Sequence, residues 1–337
     1  MPMRAIYGCQ GSELSDDERR FFAEAQPWGY ILFGRNIAGP EQVRRLIDAL
    51  RDCAGGEHAP VLIDQEGGRV ARLGPPHWKS RPPAGRLGML KRISVAAARE
   101  ATYLNGRLIA HELCELGITV NCAPVLDVPA EGTDDIIGDR AFASDAFTII
   151  DLGRATIEGM LDGGVLPIMK HIPGHGRAMA DSHNMLPHVA ASVEELSATD
   201  FVTFRSLNHC PMAMTAHVVY DAIDAQRPAT TSPRVIRDVI RGEIGFEGVL
   251  ISDDLSMGAL SGTLGARAKA AQFAGCDIVL HCNGSLDEMR EVAAEAKPLE
   301  DLAFKRAQAA LGHRAPPQAF DVVAGEARFS ELLDAAA

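Results

Sequence analysis

The chain is 337 residues long, with a formal net charge of −12, 47% hydrophobic residues and 23% charged residues. This is the balance of a soluble globular protein with a sizeable core, and the acidic excess argues against non-specific binding to nucleic acid or to an anionic membrane surface. An anionic substrate would have to be held by local arginines and lysines. Seven cysteines, an odd number with no C-x-x-C pair, point to a reducing compartment rather than a disulfide framework or zinc site. The N-terminus has no apolar core long enough for a signal peptide, and no apolar run approaches a membrane span, so a cytoplasmic protein is expected.

Short apolar runs alternate with longer amphipathic segments along the whole chain. Residues 5–9 predict a first strand, and 16–25 a helix capped by Ser15. Residues 29–33 predict the second strand, 40–53 a helix with Pro at its start, and 60–63 the third strand, which runs into Asp64. A long Pro-, Gly- and Arg-rich loop is expected over 72–90, then an Ala-rich helix over 94–116 ended by Gly117. The fourth strand is expected at 118–123, with Asp127 just past it, and a helix at 146–162. Residues 165–169 predict the fifth strand, 193–207 a helix, and 211–215 the sixth strand, leading to His217. A helix at 232–241 opens on Ser232-Pro233, and the seventh strand, 248–251, ends at Ser252-Asp253-Asp254. After a helix at 264–274 comes the eighth strand, 277–280, leading to His281 and Asn283. Two helices, around 286–296 and 299–312, close the pattern, and the tail beyond 316 is weakly patterned.

Strict strand–helix alternation argues α/β, and short strands apolar on both faces argue a parallel sheet. Eight units with no linker favour one domain, a single (β/α)8 TIM-type barrel, over an open sheet. Gly67-Gly68 does not form a dinucleotide-binding fingerprint.

The chain is organised around LPIMKHIPGHGRAMADSHNMLPH, residues 166–188. A buried strand stops at Lys170 and His171, and Pro173-Gly174 then forces a loop that carries His175, Asp181, Ser182 and His183. Such a density of polar groups after an apolar strand reads as a chemical site. Asp64, Asp127, Lys170, His171, His217, Asp253 and Asn283 all fall at or just past strand ends, where barrels of this kind place their active sites. A strand-end Asp can equally cap the next helix, and of Asp253 and Asp254 one is expected to face the barrel mouth and one to turn away. Arg69, Arg72 and Arg140 come from loops near the same rim and suit carboxylates or paired hydroxyls.

With these residues in place the chain resembles the family 3 glycoside hydrolases, specifically the single-domain bacterial β-N-acetylglucosaminidases of cell-wall recycling. The matching stretches are IDQEGGRVARL at 63–73, IIGDRAF at 136–142, KHIPGHG at 170–176, ADSH at 180–183 and GVLISDDLSM at 248–257. Ile172 stands where the family usually has Phe. The resemblance implies that Asp253 is the catalytic nucleophile, His183 the general acid/base and Asp181 the partner that orients it. It further implies that Asp64, Arg72, Arg140, Lys170 and His171 grip the sugar. Retaining glycosidases ordinarily pair two carboxyl groups, so a histidine acid is a departure that the resemblance supports. The implied reaction removes non-reducing terminal N-acetylglucosamine from GlcNAc-1,6-anhydro-MurNAc, with or without peptide, by a monomer that needs no metal or organic cofactor. Three alternatives keep the barrel: phosphorolysis of the same bond, a metal-dependent hydrolase using His171, His175, His183 and Asp253, and a non-catalytic sugar-binding protein, which would need to have lost Asp253 or His183, both present here.

Overall fold

The computed structural model describes residues 1–54, 59–130, 132, 136–178, 181–182 and 185–335. In chain order the strands are β1 (Met3–Gly8), β2 (Pro27–Leu32), β3 (Val61–Ile63), β4 (Val120–Asn121), β5 (Leu166–Ile172), β6 (His188–Val189), β7 (Met212–Thr215), β8 (Val219–Tyr220), β9 (Val249–Asp254) and β10 (Ile278–His281). All of them except β6 and β8 pair side by side, in parallel, and close in the order β1-β10-β9-β7-β5-β4-β3-β2. This is the (β/α)8 barrel expected from the alternation of elements.

Alternate residues along each strand face opposite ways, which produces two apolar layers. Ile6, Ile31, Leu62, Val120, Ile168, Met212, Ile251 and Ile278 fill the barrel interior. Ala5, Tyr7, Tyr30, Val61, Ile63, Met169, Ala213, Leu250 and Val279 face the surrounding helices. Those helices are α1 (Asp16–Ala25), α2 (Pro40–Cys53), α3 (Ala84–Met89), α4 (Val95–Leu116), α5 (Ala146–Asp162), α6 (Val193–Ser206), α7 (Leu264–Ala274), α8 (Leu286–Glu295), α9 (Asp301–Gly312) and α10 (Val322–Asp334). Ser15 and Glu18 form a reciprocal capping box at α1, and Gly117 ends α4 with a left-handed φ of 86°.

Four features depart from the expected pattern. β5 and β9 run past their apolar cores, so Lys170, His171, Asp253 and Asp254 lie on strands rather than after them. Backbone pairing continues because the neighbouring strand is still present: Lys170 and Ile172 pair with Met214 and Thr215 of β7. The loop predicted over 72–90 contains α3, and the helix predicted over 232–241 is a π-helical segment, Val235–Glu243, still capped by Ser232 Oγ, which accepts from Val235 N at 3.1 Å. The tail beyond 316 is not unpatterned. Asp321 caps α10, whose Gly325, Phe329 and Leu332 form a sparse buried stripe.

α10 is also tied to the loop that follows β3. Its Glu326 pairs with Arg81 at 2.8 Å, and Arg81 bridges to Glu112 of α4 as well. The Arg81 carbonyl in turn accepts from Gly68 N at 2.8 Å. Gly67 and Gly68 take φ values of 106° and 58°, and a Cβ on Gly67 would sit 2.2 Å from the Pro82 carbonyl oxygen, so only glycine allows this approach.

Candidate active site

The C-terminal ends of the strands surround a cavity of about 520 Å³. Asp64, Arg72, Arg140, Lys170, His171 and Asp253 all line it, together with Arg35, Arg69, His175, Ser182, Met214, Met257 and Asn283. Six of the eight residues singled out as catalytic or sugar-binding are thus brought together from β5, β9 and the loops that follow β3 and β4. Asp181 is half-buried beside Ser182 and is not among the lining residues. His183 lies outside the described residues.

One wall is a buried ion-pair network. Lys170 Nζ lies 2.9 Å from Asp64 Oδ1 and 2.6 Å from Glu66 Oε1. Arg140 holds Glu66 in a fork, Nε to Oε2 and Nη2 to Oε1, each at 2.9 Å, while Arg72 Nη2 reaches Asp64 Oδ2 at 3.2 Å. Burial pushes the Asp64 carboxyl up, but Lys170 and Arg72 outweigh it and hold the group below its ordinary range. The same contest, won by Lys170 and Arg140, brings Glu66 down to about 2. Burial opposes the Lys170 charge, and the two carboxylates hold its pKa above the usual lysine value. The wall therefore carries alternating fixed charges, suited to pairs of sugar hydroxyls.

Glu66, in the loop that follows β3, was missed at the sequence level. Between Asp64 and Glu66, Gln65 turns the other way and fastens the loop. Its Oε1 accepts from Arg72 N at 2.8 Å and Leu73 N at 3.0 Å, and its own backbone is held by Asn121. That clamp sets where Arg72 emerges.

Asp127 was recognised only as a strand-end residue. It is fully buried, and Oδ2 lies 2.7 Å from His171 Nδ1 while Oδ1 accepts from His175 N at 2.7 Å and His171 N at 3.2 Å. The carboxylate thereby fixes Nδ1–H on His171 and leaves Nε2 as the ring nitrogen for the cavity.

On β9 the two acids divide. Asp254 Oδ1 accepts from Ser256 N and Cys282 N, both at 3.1 Å, and its Oδ2 accepts from Ser256 Oγ at 2.5 Å, so it organises the following turn. Asp253 Oδ1 accepts from Asp254 N at 2.8 Å, and its Oδ2 has no hydrogen bond from the described residues. Burial raises the Asp253 pKa, but His217, His171, the Asp254 N–H and Lys170 together pull it below the ordinary value. It is a carboxylate at neutral pH with one oxygen open to the cavity, which is what a nucleophile requires.

Residues 5–313 match the description "Glycosyl hydrolase family 3 N terminal domain". The chain is 43% identical over 284 residues to a β-hexosaminidase of Alkalilimnicola ehrlichii, covering 82% of this chain and 80% of that one. The chain belongs to glycosyl hydrolase family 3. This family 3 enzyme, a glycoside hydrolase, is also 36% identical over 331 residues to the β-hexosaminidase of Thiobacillus denitrificans, covering 96% and 90% of the two chains. Its fold superposes on NagZ from Neisseria gonorrhoeae in complex with N-trifluoroacetyl-D-glucosamine, with a TM-score of 0.89, 30% identity and 98% of each chain covered.

Among the described residues of the hydrolase, no three of His, Cys, Asp or Glu converge as a metal-holding group. His183, one member of the metal-dependent reading, is outside that set.

His175 links the site to stability. Its Nε2 lies 3.0 Å from Ser182 Oγ, and its buried Nδ1 has no partner among the described residues. Burial, then the neighbouring His171, lowers its pKa from 6.5 to about 4. Between those values the unfolded chain binds a proton that the folded hydrolase does not. Stability is therefore fully present above pH 6.5 and is lost as pH falls toward 4, by roughly 3 kcal/mol in all. Urea unfolding at pH 7 and pH 5 should show about 2 kcal/mol less acid loss in His175→Gln than in the wild type. Equal losses would mean that His175 is protonated in the folded enzyme.

Proposed function

We propose that this family 3 hydrolase is a retaining exo-β-N-acetylglucosaminidase that acts through a glycosyl-Asp253 intermediate. The observation that carries the reading is the open Oδ2 of Asp253, facing a cavity whose wall carries Asp64, Lys170 and Arg140, with Glu66 tying Lys170 to Arg140 behind it. The network grips the hydroxyls of the terminal sugar, and Arg72 and His171 complete the grip. Asp253 Oδ2 attacks the anomeric carbon as the bond to the leaving oxygen breaks. His183, as the imidazolium, gives its proton to that oxygen, and Asp181 orients the ring. Water then attacks the same carbon, the now neutral His183 takes its proton, and Asp253 is released. Two displacements return the β-configuration.

The N-acetyl requirement is supported by the β-hexosaminidase relatives and by the N-trifluoroacetyl-D-glucosamine bound in the Neisseria neighbour. The proposed natural substrates are GlcNAc-1,6-anhydro-MurNAc fragments of peptidoglycan, with or without peptide, processed in the cytoplasm. Cations at the rim, Arg35 and Arg69, suit the carboxylate such fragments carry beyond the cleaved bond. No helix among the described residues is long and apolar enough to cross a membrane.

The test compares 4-nitrophenyl β-N-acetylglucosaminide with the β-glucoside, with and without phosphate, and follows the product anomer by NMR. Release from the N-acetyl sugar alone, giving free β-N-acetylglucosamine first, supports the reading. Cleavage of the glucoside at an equal rate, or first-formed α-sugar, contradicts it. Sugar 1-phosphate as the main product would mean that phosphate, not water, resolves the intermediate.

A further inference from the structure

His217 is a buried titratable group near the site to which the ion-pair wall and the nucleophile give no task. His217 follows β7, is fully buried and does not line the cavity. Its two ring nitrogens are both engaged. Nδ1 lies 2.7 Å from Thr230 Oγ1, and Nε2 lies 3.0 Å from the Asp254 carbonyl oxygen. Thr230 Oγ1 lies 2.8 Å from Thr215 Oγ1, and Thr215 Oγ1 accepts from Asp253 N at 3.3 Å. Thr215 and Thr230 are fully buried too.

This chain begins at the N–H of Asp253 and ends at the carbonyl of Asp254. It therefore grips both ends of the dipeptide that bears the nucleophile. We propose that His217 is a positioning residue for Asp253, acting through a buried Thr215–Thr230–His217 clamp on the Asp253–Asp254 backbone. The inference rests on the reading of Asp253 as nucleophile.

Proton accounting gives the clamp a direction. A carbonyl only accepts, so Nε2 carries the hydrogen. In the neutral ring Nδ1 must then accept, and Thr230 must donate to it. Thr230 has one proton to give, so Thr215 donates to Thr230 and uses a lone pair for Asp253 N–H. Each hydroxyl donates once and accepts once. Were the ring charged, Nδ1 would donate and Thr230 would turn its proton to the Ala216 carbonyl, 3.1 Å away. Asp253, Asp254 and His171 are the ionisable groups facing the ring. Burial dominates and lowers its pKa, with the two aspartates pulling the other way, which favours the neutral arrangement.

The clamp reaches the chemistry through one peptide plane. Asp253 Oδ1 is held by Asp254 N, so the direction of the attacking Oδ2 follows the tilt of the Asp253–Asp254 peptide. A misplacement of about 1 Å at a reacting atom costs on the order of 10²-fold in rate. A loosened clamp should therefore slow the chemical step far more than it weakens sugar binding, which rests on the Asp64–Lys170–Glu66–Arg140 network.

Thr230→Val removes the central hydroxyl with little change of shape, and Thr230→Ser restores it. His217→Gln keeps an N–H donor for the carbonyl, and His217→Ala removes it. With 4-nitrophenyl β-N-acetylglucosaminide, Thr230→Val and His217→Ala should lose on the order of 10- to 100-fold in kcat with KM within about twofold. Thr230→Ser and His217→Gln should recover most of the rate. Histidine ¹⁵N NMR, with His217→Gln to assign the signal, should show a neutral Nε2–H ring at about pH 7.5. Wild-type kcat in Thr230→Val, a parallel loss of kcat, KM and Tm without rescue by Ser, or an Nδ1–H ring would overturn the proposal. An inactive wild type counts against the proposed function instead, and the NMR experiment then still decides whether the clamp exists.

Discussion

Asp253→Ala is expected to lower kcat/KM for the activated N-acetylglucosaminide by on the order of 10⁴-fold, with the folded protein preserved. The carboxylate lies at the end of β9, and among the described residues only its Oδ1 is tied, to the Asp254 N–H. Truncation leaves that one N–H short of an acceptor at a position open to the cavity, so the stability cost is small. The chemical cost is large because, among the described residues that line the cavity, no other carboxylate can take the place of Oδ2. Asp254 is committed to Ser256 and Cys282, while Asp64 and Glu66 are committed to Lys170, Arg72 and Arg140. Added azide should restore part of the rate in Asp253→Ala and give the α-glycosyl azide, because a small anion can occupy the vacated space and attack once. Asp254→Asn should behave differently, disturbing the turn at Ser256 with a smaller loss. Steady-state kinetics on the two variants checks both statements, and equal losses would contradict the division of roles on β9.

Lys170→Met carries the second large effect, and it falls on both binding and stability. The ammonium sits between two carboxylates with its side chain 3% exposed, and removing it leaves Asp64 and Glu66 facing each other. Breaking a buried pair from one side typically costs roughly 3–5 kcal/mol, and Arg72 and Arg140 compensate only in part. Loss of a buried partner to sugar hydroxyls should lower kcat/KM by on the order of 10²-fold or more. The pH dependence has a defined sign. In the wild type the Glu66 pKa is depressed from 4.5 to about 2, so its stabilising contribution is complete above pH 4.5 and is lost as pH falls toward 2. Without Lys170 both carboxyls move up, and the variant should lose stability and substrate affinity at a higher pH than the wild type. Chemical denaturation and KM from pH 7 down to pH 4 measure this shift. Parallel pH profiles would mean that Lys170 does not set these pKa values.

The barrel was legible because its strands are short and apolar on both faces, and its helices carry caps such as Ser15 and ends such as Gly117. Strand ends were not legible in the same way. Hydrophobicity ends β5 at Met169 and β9 at Ile251, yet both strands continue as polar residues because their neighbours still offer backbone partners and the cavity offers charges to pair. The other residues of the ion-pair wall were found through motif resemblance, and Glu66 escaped because nothing local distinguishes it from a solvated acid. The bond between Arg81 and α10 joins positions 245 residues apart, and such pairings leave no local trace. The same holds for His217 and Thr230, whose meaning comes from where the Asp254 carbonyl arrives.

The most direct measurement is mass spectrometry of the enzyme treated with a slow fluorinated N-acetylglucosaminide, followed by peptide mapping. The account predicts one covalent sugar per chain, on the peptide containing Asp253, absent from Asp253→Ala and released on incubation with an acceptor. A sugar attached elsewhere, or turnover that proceeds with inversion and without any adduct, would contradict it.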